Sequence, residues 1–211
     1  MGVDADTCAP CIFQAGSDTT RAPLVLLHGS YGTESDLLPL ADRIAPGASR
    51  LSLRGTVALD NGFAFFRRHA DRRVDETDLA SRVPETAALI QGFTSRGQFT
   101  EPPVAVGFSN GAIMAAALLS ACSGVLAGAV LFRPLPPFAA DASYRPGATP
   151  VLIIDGTQDP RRSAGDGQRL AGKLSRAGAV VTHHVLPVGH SITAEDVQIA
   201  RKWLRSLPES R

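Results

Sequence analysis

The segment at 102–119, PPVAVGFSNGAIMAAALL, most narrows the folds open to this chain. A short apolar run ends in Gly107-Phe108-Ser109-Asn110-Gly111, and an Ala-rich helical run begins at once. Strand and helix must therefore meet in a tight turn. Gly on both flanks suits such a turn, because side chains there would clash with the neighbouring strand and helix. The turn lifts the Ser109 hydroxyl above the sheet. It also places the residue at a helix N-terminus, where N–H groups and the helix dipole favour a developing negative charge.

The remaining chain repeats the alternation. CIFQA reads as a first strand, and the later β-rich runs are 24–28, 51–53, 104–108, 128–132, 151–155 and 180–188. Helical patterns lie at 36–45, 76–95, 110–122, 163–176 and 194–206. Strands alternating with helices predict an α/β fold with a mainly parallel sheet and helices on both faces. Continuous apolar runs such as LVLL fit strands buried on both sides. Thr193 and Asp196 have the spacing of a capping box at the start of the last helix. A length of 211 residues predicts one domain spanning 1–211, with no inserted cap.

Charge and cysteine usage limit the partners. A net charge of +1 gives no nucleic-acid or anionic-membrane surface. No apolar run reaches the roughly 20 residues that span a bilayer. The N-terminal sequence lacks the basic and apolar regions of a signal peptide, and the Cys count is odd, so a cytoplasmic location is expected. Cys8 and Cys11 form a single CxxC. With no second pair or His cluster nearby, it cannot complete a four-ligand zinc site, so no metal is expected.

If Ser109 is a nucleophile, it needs a base and a group to orient that base. In serine hydrolases built on α/β sheets the chain order is Ser, acid, His. Of the five His, only His183, His184 and His190 follow Ser109. The first two sit inside a strand. His190 lies on a Gly-containing loop just beyond it, at the same sheet edge as Ser109. Asp141, Asp155, Asp159 and Asp166 are the candidate acids. Asp159 is the choice because it lies on the loop after the VLIID strand, with Asp155 as runner-up. The oxyanion hole falls to the backbone N–H groups of Asn110 and of Ser30 in the loop HGSYG, with Tyr31 as second choice for the latter. No phosphate-loop spacing is present.

LVLLHGSYGTESDLLPLAD, GFSNGA, DGTQDP and VGHSI, in this order, resemble the small carboxylesterase/phospholipase family of α/β-hydrolases. LSLRGTVALDNGFAFFRRHADRRVDETDLASRV resembles the branch related to bacterial methylhydroquinone-resistance hydrolases. The resemblance covers about residues 20–206. It implies the roles given above to Ser109, Asp159, His190 and Ser30, and a homodimer as the assembly. Tyr31 stands where relatives usually carry Gly, which puts a phenol at the pocket mouth. Arg54, Phe65 and Phe66 are expected to form one pocket wall with Arg67 and Arg68, as a site for a carboxylate or phenolate, and Arg133 and Leu135 the opposite rim.

The expected activity is cofactor-free hydrolysis of small or short-chain carboxylic esters. The alternatives are a lysophospholipase or acyl-protein thioesterase, and a non-catalytic small-molecule-binding module on the same fold.

Overall fold

The computed structural model describes residues 10–140 and 144–207. Cys8 and Asp141 lie outside them. The described chain runs β1 (Cys11–Gln14), β2 (Leu24–Leu27), α1 (Leu38–Ile44), β3 (Arg50–Leu53), β4 (Val57–Leu59), β5 (Gly62–Ala64), α2 (Glu76–Ser95), β6 (Val104–Phe108), α3 (Asn110–Ala121), β7 (Gly128–Phe132), β8 (Pro150–Gly156), α4 (Asp166–Arg176), β9 (Val180–Leu186) and α5 (Ala194–Ser206).

Seven strands form one sheet in the order β1-β3-β2-β6-β7-β8-β9. All neighbours pair parallel except β1, which joins the edge antiparallel to β3. The two-residue strand period separates the core into layers. Val25 and Leu27 of β2 face the layer containing α2, α3 and α4, whereas Leu24 and Leu26 face α1 and α5. Burying each such side chain contributes about 1.5–3 kcal/mol. Helix α3 is buried from Asn110 to Ser120, which explains why its sequence is apolar on every side. The capping box expected at Thr193 is present: its side chain accepts from the Asp196 N–H, and the Asp196 carboxylate accepts from the Thr193 N–H.

Parallel packing brings the C-terminal ends of β2, β6, β7, β8 and β9 to one edge. The loops carrying Ser30, Ser109, Arg133, Asp159 and His190 all leave from that edge.

One element has no counterpart in the sequence reading. Strands β4 and β5 form a separate hairpin around the exposed Asp60-Asn61 turn. At three residues each, they are too short for alternation to register. The hairpin stands over the site edge and bonds to the loop after β2. The Tyr31 N–H donates to the Phe63 carbonyl (2.9 Å), and the Phe63 N–H to the Gly32 carbonyl (3.0 Å).

Candidate active site

The turn at Ser109 has the expected geometry and a visible reason for its glycines. Ser109 adopts φ 52° and ψ −106°, a left-handed conformation costing about 1–3 kcal/mol for a non-glycine residue. A Cβ on Gly111 would lie 2.0 Å from the Leu27 carbonyl oxygen, and one on Gly107 would lie 2.6 Å from the Ala112 Cα. Both obstacles are backbone, so neither can swing aside.

Three side chains from three loops then form a chain of hydrogen bonds. Ser109 Oγ lies 2.9 Å from His190 Nε2, and His190 Nδ1 lies 2.7 Å from Asp159 Oδ2. Asp159 is buried, and its other oxygen accepts from the Arg161 N–H at 2.8 Å. A carboxylate can only accept, so the proton between it and His190 sits on Nδ1. Nε2 is left bare toward Ser109, ready to receive a proton. Burial pushes His190 below its usual pKa of 6.5, against the opposing pull of the Asp159 carboxylate. The ring also packs on Phe108, with centroids 5.1 Å apart. Asp155 is engaged elsewhere, 2.7 Å from His183 Nε2.

The two backbone N–H groups expected to face an oxyanion are both available. That of Asn110 lies in the first turn of α3, where helix geometry provides no acceptor. The N–H of Tyr31 is committed to Phe63, whereas the Ser30 N–H has no protein acceptor among the described residues. A buried histidine fixes the Ser30 loop. His28 Nδ1 donates to the Gly29 carbonyl at 2.6 Å, and Nε2 accepts from the Gly55 N–H at 3.0 Å. Burial lowers its pKa and keeps it in that neutral form. The Asn110 side chain is a second brace. It accepts from the Phe65 N–H (2.7 Å) and donates to the Phe66 carbonyl (3.3 Å), tying the hairpin's exit to the turn at Ser109.

A cleft of about 370 Å³ opens beside Ser109. Ser30, Tyr31 and Phe66 line it, as do Val57, Leu59 and Ala64 of the hairpin. The rest of its wall is basic: Arg67, Arg68, His69, Arg72, Arg161 and Arg162.

Four expected pocket residues are placed differently. Arg133 is fully buried and points away from the cleft, because Asp196 takes its guanidinium in a two-pronged ion pair, 2.8 Å on each prong. Its remaining N–H groups donate to the carbonyls of Ile154, Gly189 and Ser191. Leu135 packs against the apolar core. Phe65 is also buried, its ring 4.8 Å from His28. Arg54 is drawn aside by Glu34 at 3.3 Å and lies over the Phe63 ring. Tyr31 and Phe66 do reach the cleft.

His69, Arg72, Arg161 and Arg162 were not foreseen at the site, and of these Arg162 touches Ser109. Arg162 donates through Nη2 to Ser109 Oγ at 3.0 Å and through Nε to the Arg133 carbonyl at 2.7 Å. The only sequence signal is the basic pair directly after Asp159-Pro160, which reads equally well as a solvated turn.

Residues 57–207 match the model of the family described as phospholipase/carboxylesterase. A Bacillus subtilis protein named as a hydrolase, MhqD, is 36% identical over 196 residues, covering 92% of this chain and 96% of that protein. The crystal structure of the Bacillus cereus carboxylesterase is similar with a TM-score of 0.89, 36% identity and 95% coverage of each chain. That of a carboxylesterase from Mesorhizobium loti gives a TM-score of 0.84, 30% identity and 91% coverage of each.

Proposed function

This chain belongs to the phospholipase/carboxylesterase family of hydrolases, and from that premise we propose that it is a serine carboxylesterase acting on small or short-chain esters, with Ser109, His190 and Asp159 as its triad. The observation that carries the reading is the continuous hydrogen-bond path from Ser109 Oγ through His190 to Asp159.

In this mechanism Ser109 Oγ attacks the ester carbonyl while its proton passes to His190 Nε2. Asp159 holds the ring in the receptive tautomer and stabilises the imidazolium that forms. The N–H groups of Asn110 and Ser30 receive the negative charge on the carbonyl oxygen. Losing one such donor typically costs about 10²–10³ in rate. His190 then returns the proton to the departing alkoxide as the carbon–oxygen bond breaks, releasing the alcohol and leaving an acyl-Ser109. Water, deprotonated by His190, attacks this ester. The carboxylic acid leaves and Ser109 is regenerated.

A cleft of about 370 Å³ favours small esters. Apolar lining from Val57, Leu59, Ala64 and Phe66 faces a wall of arginines, so only a short acyl chain finds an apolar bed there, which sets short esters ahead of lysophospholipids and acyl-proteins. Pre-steady-state hydrolysis of p-nitrophenyl acetate and butyrate tests the reading. Wild type is expected to release a burst of p-nitrophenolate and to be labelled by a fluorophosphonate, and Ser109→Ala to do neither. An unlabelled wild type with no burst would leave the non-catalytic binding module as the better description.

A further inference from the structure

The buried and half-buried arginines of this protein fall into two groups. Arg133 has Asp196, Arg82 has Asp78 through two nitrogens, and Arg54 has Glu34. Arg68 and Arg162 have no carboxylate within ion-pair distance among the described residues. Arg162 spends its donors on two carbonyls and on Ser109 Oγ. Arg68 donates from Nη1 to the Arg72 carbonyl at 3.2 Å, across the turn that the 68–74 bridge closes, and its Nε is buried with no hydrogen-bond partner among the described residues.

Both side chains line the same cleft as Ser109, and among the described residues no Asp or Glu does. Their guanidinium groups face one small volume, which Arg67, Arg72 and Arg161 also line, and they repel each other. Burial, followed by the nearby charge of Arg68, lowers the Arg162 pKa to about 10, which still leaves it fully charged at neutral pH. Leaving a buried donor unmade is costly, and a planar guanidinium fork matches a carboxylate or phosphate. An anion between the two would supply the missing partner to Arg68 and cancel the repulsion.

We propose that Arg68 and Arg162 form an anion subsite against the nucleophile, so that the preferred esters carry a carboxylate or phosphate close to the scissile bond. The inference rests on reading Ser109 as the nucleophile. Its distance constraint comes from Arg162, whose bond to Ser109 Oγ puts the subsite within a few atoms of the carbonyl under attack. Hemiesters of short dicarboxylic acids and esters of phosphorylated alcohols meet that constraint. When the anion binds, Arg162 turns part of its fork toward it.

The test compares kcat/KM for matched esters with the full-length protein: monoethyl against diethyl succinate for the carboxylate, and 2-acetoxyethyl phosphate against ethyl acetate for the phosphate. An anionic member is expected to exceed its neutral counterpart by roughly ten- to a hundredfold, the range of a hydrogen bond to a charged group. The arm that shows the gain identifies the anion. Arg68→Gln should bring the ratio toward one, and Arg68→Lys should keep only part of it, because the charge remains and the fork is lost. Arg201→Gln, exposed on α5, should leave the ratio and the activity as in wild type. Wild type that hydrolyses neutral esters with no preference for either anionic partner overturns the subsite and leaves the esterase reading intact. A protein that hydrolyses none of the esters and takes no fluorophosphonate overturns both.

Discussion

Replacing Arg133 with Met tests whether this residue holds the histidine loop in place. In wild type its guanidinium is fully buried. It grips Asp196 at the start of α5 and bonds to the carbonyls of Gly189 and Ser191, the residues on either side of His190. Met fills much of the same space and supplies none of these donors. Asp196 would remain buried with only its Thr193 contacts. Breaking a buried ion pair from one side typically costs about 3–5 kcal/mol, because the surviving charge is uncompensated. We expect that loss as a fall in the denaturant midpoint with unchanged slope. Removing the stranded charge as well, in Arg133→Met/Asp196→Leu, should recover part of it, less about 1 kcal/mol for the lost helix cap. Activity should suffer separately. A loop free to shift by about 1 Å would cost on the order of 10²-fold in kcat for ester hydrolysis. The wild-type contribution also has a pH signature. Burial alone would raise the Asp196 pKa, but the bonds from Arg133 and Thr193 outweigh it and lower it. The stability it contributes is therefore complete above the unfolded carboxylate's pKa of about 3.9 and lost as pH falls through the lower native value. If Arg133→Met unfolds within 1 kcal/mol of wild type and keeps its kcat, Arg133 is a bystander and this account is wrong.

Three further outcomes follow from the geometry. Because burial holds His190 below 6.5, the acid limb of kcat/KM on a neutral ester should have its midpoint under pH 6.5. Its part of the folding stability should decline as pH falls through 6.5 toward the native value. A midpoint above 6.5 would contradict the burial argument. Asp159→Asn should drop kcat by about 10⁴, as loss of the orienting acid does in Ser-His-Asp triads, while the protein stays soluble. Gly111→Ala drives a methyl into the Leu27 carbonyl at 2.0 Å. Its cost should sit at the upper end of overpacking, about 3 kcal/mol or more by chemical denaturation. Gly97→Ala, with open space around it and φ +71°, should cost only about 1–2 kcal/mol.

The centre of the sheet was legible because β2, β6, β7 and β8 are buried on both faces and therefore read as unbroken apolar runs. The candidate triad could be read for a related reason. Ser109, Asp159 and His190 each follow a parallel strand within a few residues, so strand order alone carries them to one edge. What the sequence did not reveal depends on pairings between distant loops. Arg133 follows a strand just as a pocket residue would. Its partner Asp196 lies far along the chain and was already explained as a helix cap. The β4–β5 hairpin is short, and part of its support comes from the Tyr31–Gly32 backbone, which leaves no mark in either segment's composition. Arg162 differs from its exposed neighbour Arg161 only in which way it points. No periodicity distinguishes the two, since both sit on a loop.

The hairpin's attachment bears on how this protein could change. It forms a sheet of its own, separate from the seven-stranded one, and is fastened by the Gly32–Phe63 bridge and the Asn110 side chain. Its tip at Asp60-Asn61 is exposed. Lengthening a flexible loop costs only about 0.6 kcal/mol per doubling. Insertions at that tip would remodel one side of the cleft without disturbing a strand of the main sheet or the turn at Ser109. The hairpin side of the cleft is thus free to vary in length at Asp60-Asn61 while the seven-stranded sheet stays fixed.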